Sequence, residues 1–154
     1  MHLHNLLSPE AVLPALKVSG KKQALQELAG HAARLTGLGE RLLFDTLLQR
    51  ERLGSTGIGN GIAIPHGKLG DLTRLTGIFA RLEKPIDFEA VDGEPVDLMF
   101  VLLAPEEAGA DHLKALARTA RVLRNAATAA SLRATPDADL LYALLTQEPT
   151  SHAA

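Results

Sequence analysis

Cysteine and tryptophan are absent from the 154 residues, tyrosine occurs once, and aromatic residues together make up 3% of the chain. Without cysteine there is no disulfide framework, no thiolate metal site and no cysteine nucleophile, and the composition suits a reducing compartment. The scarcity of aromatic rings leaves little on which bases could stack. A formal net charge of -2 gives neither nucleic acid nor an anionic membrane surface an electrostatic reason to bind. No segment reaches the roughly 18 to 20 uninterrupted apolar residues of a membrane span. The opening MHLHNLLSPE has no basic stretch leading into an apolar run, so it does not read as a secretory signal. The expectation is a cytoplasmic protein that recognises its partners locally.

What is present is an ordinary globular composition, 46% hydrophobic and 22% charged. A chain of this length can bury a core without disulfides or a structural metal. Repeats, low-complexity tracts and linkers are missing, so residues 1–154 read as a single domain, with its core at about 5–147 and a loose tail over 148–154. In LSPEAVLPAL, Ser8 before Pro9 and Glu10 suits a capped helical turn, and Pro14 limits the following apolar run to an edge strand or loop. Ala24, Leu25, Leu28, Ala29, Ala32 and Leu35 recur at helical spacing, which predicts a helix over 19–36 stopped by Gly37. A second helix is predicted over 40–52, with Leu42, Leu43, Leu47 and Leu48 on one side and Gly54 behind it.

Three short runs rich in branched and aromatic residues then read as strands: IAIPH, LTGIFARLE and PVDLMFVLLAP. The segment KPIDFEAVDGEPV carries two prolines and the turn dipeptide Asp92-Gly93, so a hairpin-like connection and at least one antiparallel pair follow. Helices are predicted over 111–124 with Asp111 as N-cap, over 127–133, and over 137–147. Helices before and after a block of strands predict an α/β fold, a single layered domain whose mixed parallel and antiparallel central sheet is flanked by helices on both faces.

The stretch GSTGIGNGIAIPHGKL places His66 behind Pro65 after a run of glycines. Glycine-rich loops can aim several N–H groups at one anion, but two familiar templates fail. A P-loop has four residues between its glycine and Gly-Lys, whereas five separate Gly61 from Gly67-Lys68, and Leu69 stands where a hydroxyl should bind magnesium. The dinucleotide fingerprint runs from strand to helix, and this stretch runs from helix to strand. Neutral imidazole is a nucleophile at cytoplasmic pH and can accept a phosphoryl group. Such a site needs one exposed ring nitrogen, a hydrogen bond fixing the other, and N–H or cationic partners for three oxygens. Pro65 stiffens the approach, Gly67 leaves the face of His66 open, Ser55, Thr56 and loop amides could donate, and Arg50 or Arg52 could supply a cation. From these residues alone, a turn histidine and a nucleophile both stay open.

The motif RERLGSTGIGNGIAIPHGKL resembles the phosphorylation site of the fructose/mannitol-type IIA domains of the bacterial phosphotransferase system, in particular their nitrogen-related branch. KPIDFEAVDGEPVDLMFVLLAPEEAGADHLKALARTARVLR extends the resemblance over about 25–145. It implies that His66 is the phosphoryl acceptor, that His112 in ADHLKAL lies beside it, and that Arg50 is the arginine near the phosphoryl group; Ser55, Thr56 and Gly67 are expected around the oxygens on the chemistry of the loop alone. His112, just inside a helix N-terminus, would feel the positive end of the dipole, which favours a neutral ring. The resemblance further implies an HPr-like phosphocarrier (NPr type) as donor and no metal or organic cofactor. It implies regulated target proteins, transporters or sensor kinases among them. A sugar-specific IIA component passing phosphate to a IIB domain is the alternative within the family, and a non-phosphorylated binding module is the alternative outside it. The chain has no room for a IIB or membrane IIC domain, which favours the regulatory branch.

Other features read more plainly. MHLH could chelate a metal weakly but reads as a disordered tail. His31 and His152 have no partner in sequence. Lys114, Arg118, Arg121 and Arg124 form a basic stripe at helical spacing, which reads as a solvated face open to an acidic partner.

Overall fold

Apolar residues at helical spacing bury one face of each of the first two helices. In the computed structural model, which describes residues 2–147, these are α1 (Lys21–Thr36) and α2 (Glu40–Arg52). Gly37 ends α1 with a left-handed φ of 76°, as its sequence position predicts. On α2 the buried face is Leu43, Leu47 and Glu51, three residues at i, i+4 and i+8, whereas Leu42 is 48% exposed rather than sharing that side. The loose tail expected over 148–154 lies outside the described residues.

Six strands form one sheet: β1 (Val12–Leu16), β2 (Gly57–Gly59), β3 (Ile62–Ala63), β4 (His66–Leu69), β5 (Thr76–Ile86) and β6 (Val96–Pro105). The spatial order is β1-β5-β6-β3-β2, with β4 also pairing with β6. β1 runs parallel to β5 at the edge, where Pro14 is tolerated. β5 and β6 form the expected antiparallel pair, while β3 and β4 run parallel to β6 and β2 runs antiparallel to β3. The sheet is therefore mixed. Residues 98–104 of β6 are buried without a break, because both faces of the central strands are covered by helices. The covering elements include α3 (Ala110–Arg124), α4 (Ala126–Ala134) and α5 (Ala138–Thr146). Phe79, Phe88 and Phe100, three of the four phenylalanines, are fully buried in the core.

The run IAIPH is not one strand. Pairs Ile62 with Leu98 and His66 with Leu102 keep the same register along β6, but the strand is interrupted at Ile64-Pro65. Proline has no N–H to give the ladder, so β3 stops and β4 resumes beyond it. The preceding glycines form a β2–β3 hairpin that the sequence reading did not anticipate. Asn60 and Gly61 take positive φ of 57° and 79° between the paired Gly59 and Ile62, the geometry for which Asn-Gly is preferred. Arg133 from α4 donates to the Asn60 carbonyl at 2.6 Å and to the Asp97 carboxylate at 3.0 Å, which ties this turn to β6.

Two termini of elements differ from expectation. Leu3, Leu6 and Leu7 are buried in the core, and the Gly77 N–H donates to the Leu6 carbonyl at 2.7 Å, so the N-terminal segment is anchored rather than loose. His2 and His4 stack on each other there, with ring centroids 5.6 Å apart. Ser8 makes no side-chain cap on the following 3₁₀ turn, Pro9–Ala11. Gly109, not Asp111, caps α3, at a φ of 54°. Asp137 does cap α5, accepting from the N–H groups of Asp139 and Leu140.

A Cβ at Gly61 would stand 2.5 Å from an Arg133 guanidinium nitrogen and 2.9 Å from Asp97 Oδ1, at a φ that side chains rarely adopt. Gly61→Ala should therefore lower stability by about 1–3 kcal/mol in urea unfolding. An unchanged midpoint would mean the turn does not depend on this glycine.

Candidate active site

β4 opens with His66, and the interruption before it decides how the ring is held. Consecutive strand residues aim their backbone groups at opposite edges. Pro65 C=O accepts from the Leu102 N–H of β6 at 2.9 Å, while the Ile64 N–H donates across the other edge to the Thr56 carbonyl at 2.9 Å. The Ile64 carbonyl then pairs with His66 Nδ1 at 2.8 Å. A carbonyl only accepts, so Nδ1 carries the hydrogen and Nε2 carries the lone pair. Arg50, in the last turn of α2, directs Nε to His66 Nε2 at 3.3 Å, and its Nη1 donates to the Gly54 carbonyl at 2.9 Å. A cation at a helix C-terminus is favoured by the dipole, and the second bond braces the guanidinium.

His112 arrives from the first turn of α3 and is 6% exposed, with its ring centroid 5.8 Å from that of His66 and the planes tilted by 47°. Its Nδ1 is buried with no hydrogen-bond partner among the described residues. Burial holds the His66 imidazole below its usual range and the Arg50 charge adds to this, while the hydrogen bond to Ile64 opposes it. Burial likewise holds His112 low, assisted by His66 and Lys68. Both rings are therefore neutral at neutral pH.

His66, His112 and Arg50, singled out in the sequence, line one open cleft of about 620 Å³. Gly67 lines it too, but its missing side chain serves packing: a Cβ there would lie 2.6 Å from Thr46 Cγ2, so glycine lets α2 approach β4. Ser55 and Thr56 are not brought to the cleft. Ser55 Oγ accepts from the Gly57 N–H at 3.0 Å and donates to the Phe88 carbonyl, and Thr56 is 4% exposed with its hydroxyl on Glu51. Both hydroxyls, expected from sequence around the phosphoryl oxygens, are bonded within the fold rather than turned to this cleft. Arg52 lines a separate cleft with Lys21 and Lys22.

Sequence reasoning missed Thr46, Gln49, Leu53 and Lys68, which complete the lining. Thr46, Gln49 and Leu53 lie at i-4, i-1 and i+3 from Arg50 and share its helical side, and Lys68 lies two residues beyond His66 on its strand. The periodicity was there to be read once Arg50 and His66 were paired. Chemically the cleft offers a neutral nucleophilic nitrogen, a guanidinium at its side, a second neutral imidazole and an ammonium.

The family model "Phosphoenolpyruvate-dependent sugar phosphotransferase system, EIIA 2" matches residues 5–148. The chain belongs to this family. Among relatives of this IIA chain, the "Nitrogen regulatory protein" of Bradyrhizobium diazoefficiens is 61% identical over 153 residues, covering 99% of the chain and 100% of the relative. The protein of the same description from Escherichia coli K12 is 41% identical over 147 residues, covering 95% and 90%. Of solved structures, the nitrogen regulatory protein IIA-Ntr from Neisseria meningitidis superposes with a TM-score of 0.89 at 35% identity, covering 94% and 99%. The mixed sheet with helices on both faces is thus the architecture of IIA-Ntr.

In an NMR titration, His66 and His112 should both show midpoints below 6.5, the ordinary histidine value. Because Arg50 is one of the groups depressing His66, Arg50→Gln should move the His66 midpoint upward; a downward move would contradict the assigned electrostatics.

Proposed function

We propose that this IIA chain is a phosphohistidine-carrying regulator in the cytoplasm. In this reading, His66 Nε2 accepts a phosphoryl group from the histidine phosphate of an HPr-like phosphocarrier of the nitrogen-related type, and the two forms of the chain bind target proteins differently. The observation that carries the reading is the hydrogen bonding of one ring, with Nδ1 on the Ile64 carbonyl at 2.8 Å and Nε2 facing Arg50 in an open cleft. The Nε2 lone pair forms the new N–P bond as the donor's N–P bond breaks. The donor ring, which enters with a hydrogen on its other nitrogen, takes that electron pair and leaves as neutral imidazole. His66 keeps its Nδ1 hydrogen against Ile64, so the phosphorylated ring carries the positive charge that the donor ring gives up. No metal or organic cofactor takes part in this step.

Arg50 lies within reach of the incoming oxygens, and its planar fork suits two of them at once. A neutral His112 adds no further charge beside Arg50 and Lys68, and phosphoryl oxygens beside it would offer its ring the partners it lacks. The low protonation midpoint of His66 keeps the lone pair available at neutral pH, so uptake should persist as pH falls to 6.5 and decline only below it. The regulatory branch is supported by relatives described as nitrogen regulatory proteins that align over nearly the whole chain. The role is that of a carrier and signal rather than of a stand-alone turnover enzyme.

The test is intact-protein mass after incubation with phosphoenolpyruvate, the upstream enzyme and the phosphocarrier. Wild type should gain one acid-labile phosphoryl group and His66→Ala none; labelling that persists in the variant would move the site elsewhere. His112→Ala should still be labelled at His66 but about 100-fold more slowly, as for loss of one aligned donor. Unchanged kinetics would remove His112 from the mechanism.

A further inference from the structure

Glu51 follows Arg50 on α2, yet its side chain turns the other way and is only 5% exposed. A buried carboxylate at the i+4 position from Leu47 costs more than an apolar residue there unless it is fully paired. It is well paired: it accepts from the Thr56 N–H at 3.0 Å and from the Thr56 hydroxyl, and it forms an ion pair with Lys21 at 2.9 Å. Lys21 is itself braced by Glu89 at 3.2 Å and lies 5.2 Å from the centre of the Phe88 ring. Burial alone would raise the Glu51 carboxyl, but the bonds from Thr56 and Lys21 outweigh it and hold the group ionised.

The partners of Glu51 lead to the nucleophile. Thr56, fixed by both its N–H and its hydroxyl, offers its carbonyl to the Ile64 N–H at 2.9 Å, and the Ile64 carbonyl in turn holds His66 Nδ1 at 2.8 Å. Ile64 lies where Pro65 interrupts the strand; its N–H and its carbonyl belong to successive peptide units on either side of its Cα, so Thr56 holds Ile64 from one side while the carbonyl on the other side holds the ring. Glu51 does not line the His66 cleft.

We propose that Glu51 is a positioning residue for phosphoryl transfer, acting through Thr56 and the backbone of Ile64 to keep the hydrogen of His66 on Nδ1 and leave Nε2 free. This rests on His66 being the acceptor. A loosened Ile64 carbonyl no longer selects one tautomer, and the Nε2–H form has no lone pair in the cleft.

Two readouts on the full chain test it. Long-range ¹H–¹⁵N NMR reports the His66 tautomer without any donor protein, and quenched-flow labelling reports the rate of phosphoryl uptake from the phosphocarrier. Wild type should show the Nδ1–H tautomer. Glu51→Gln, which keeps the volume but not the charge, should admit the Nε2–H form and slow uptake about tenfold. Thr56→Val should reproduce both effects, and Glu51→Ala should slow uptake about 100-fold. If Glu51→Ala does not fold, the two near-isosteric variants decide the question. A Glu51→Gln protein that melts earlier but keeps the tautomer and the rate would overturn the proposal, as would a slower rate with the tautomer intact. If wild type takes up no phosphoryl group, the carrier function falls, and the tautomer comparison still decides whether Glu51 positions His66.

Discussion

The geometry of the candidate site depends on one peptide unit, that of Ile64. It sits at the interruption in the run along β6, where Pro65 supplies a fixed φ and no N–H. With β3 ending at Ala63 and β4 starting at His66, the Ile64 carbonyl is left for the His66 ring at 2.8 Å. A ring held this way is oriented by the backbone of the sheet rather than by a mobile side chain, which is the rigid support that a reactive group requires. The central strands contribute rigidity because β6 is buried along nearly its whole length and pairs with three strands.

Around this fixed ring the charges are distributed asymmetrically. Arg50 and Lys68 reach the cleft, while the acidic Glu51 next to Arg50 is turned inward to Lys21 and Thr56. The cleft is thus cationic beside two neutral imidazoles, which is the arrangement an incoming dianionic phosphoryl group favours. Burial keeps both histidines neutral. The end of α2 with the Leu53 that follows it serves both sides: Thr46, Gln49, Arg50 and Leu53 face the cleft, and Leu47 and Glu51 face the interior.

Much of this was legible in the sequence because periodicity and punctuation act locally. The helix over 21–36 follows from its apolar spacing and Gly37, and the β5–β6 pair from two long apolar runs about Asp92-Gly93. His66, His112 and Arg50 were found through the motif they share with the family, and the fold brings them together. What escaped notice depends on distant partners. The burial of Leu6 beside β5 and of Leu3 on the turn packed against α3 and α5 follows from these distant partners, which no local pattern at the N-terminus reveals. Ser55 and Thr56 lay close to His66 in sequence and carried the right donors, but their hydroxyls were claimed by Phe88 and Glu51. The β2–β3 hairpin was hidden by strands of three and two residues, although Asn60-Gly61 signalled it. Glu51 had its own signal, a charge at the i+4 position of an apolar face.

The most direct measurement of the central claim is ³¹P and ¹⁵N NMR of the phosphorylated protein, locating the phosphorus on one ring nitrogen. We expect it on His66 Nε2, with Nδ1 still bearing its hydrogen against the Ile64 carbonyl. Phosphorus on His66 Nδ1, or on His112, would contradict the role assigned to the Ile64 peptide.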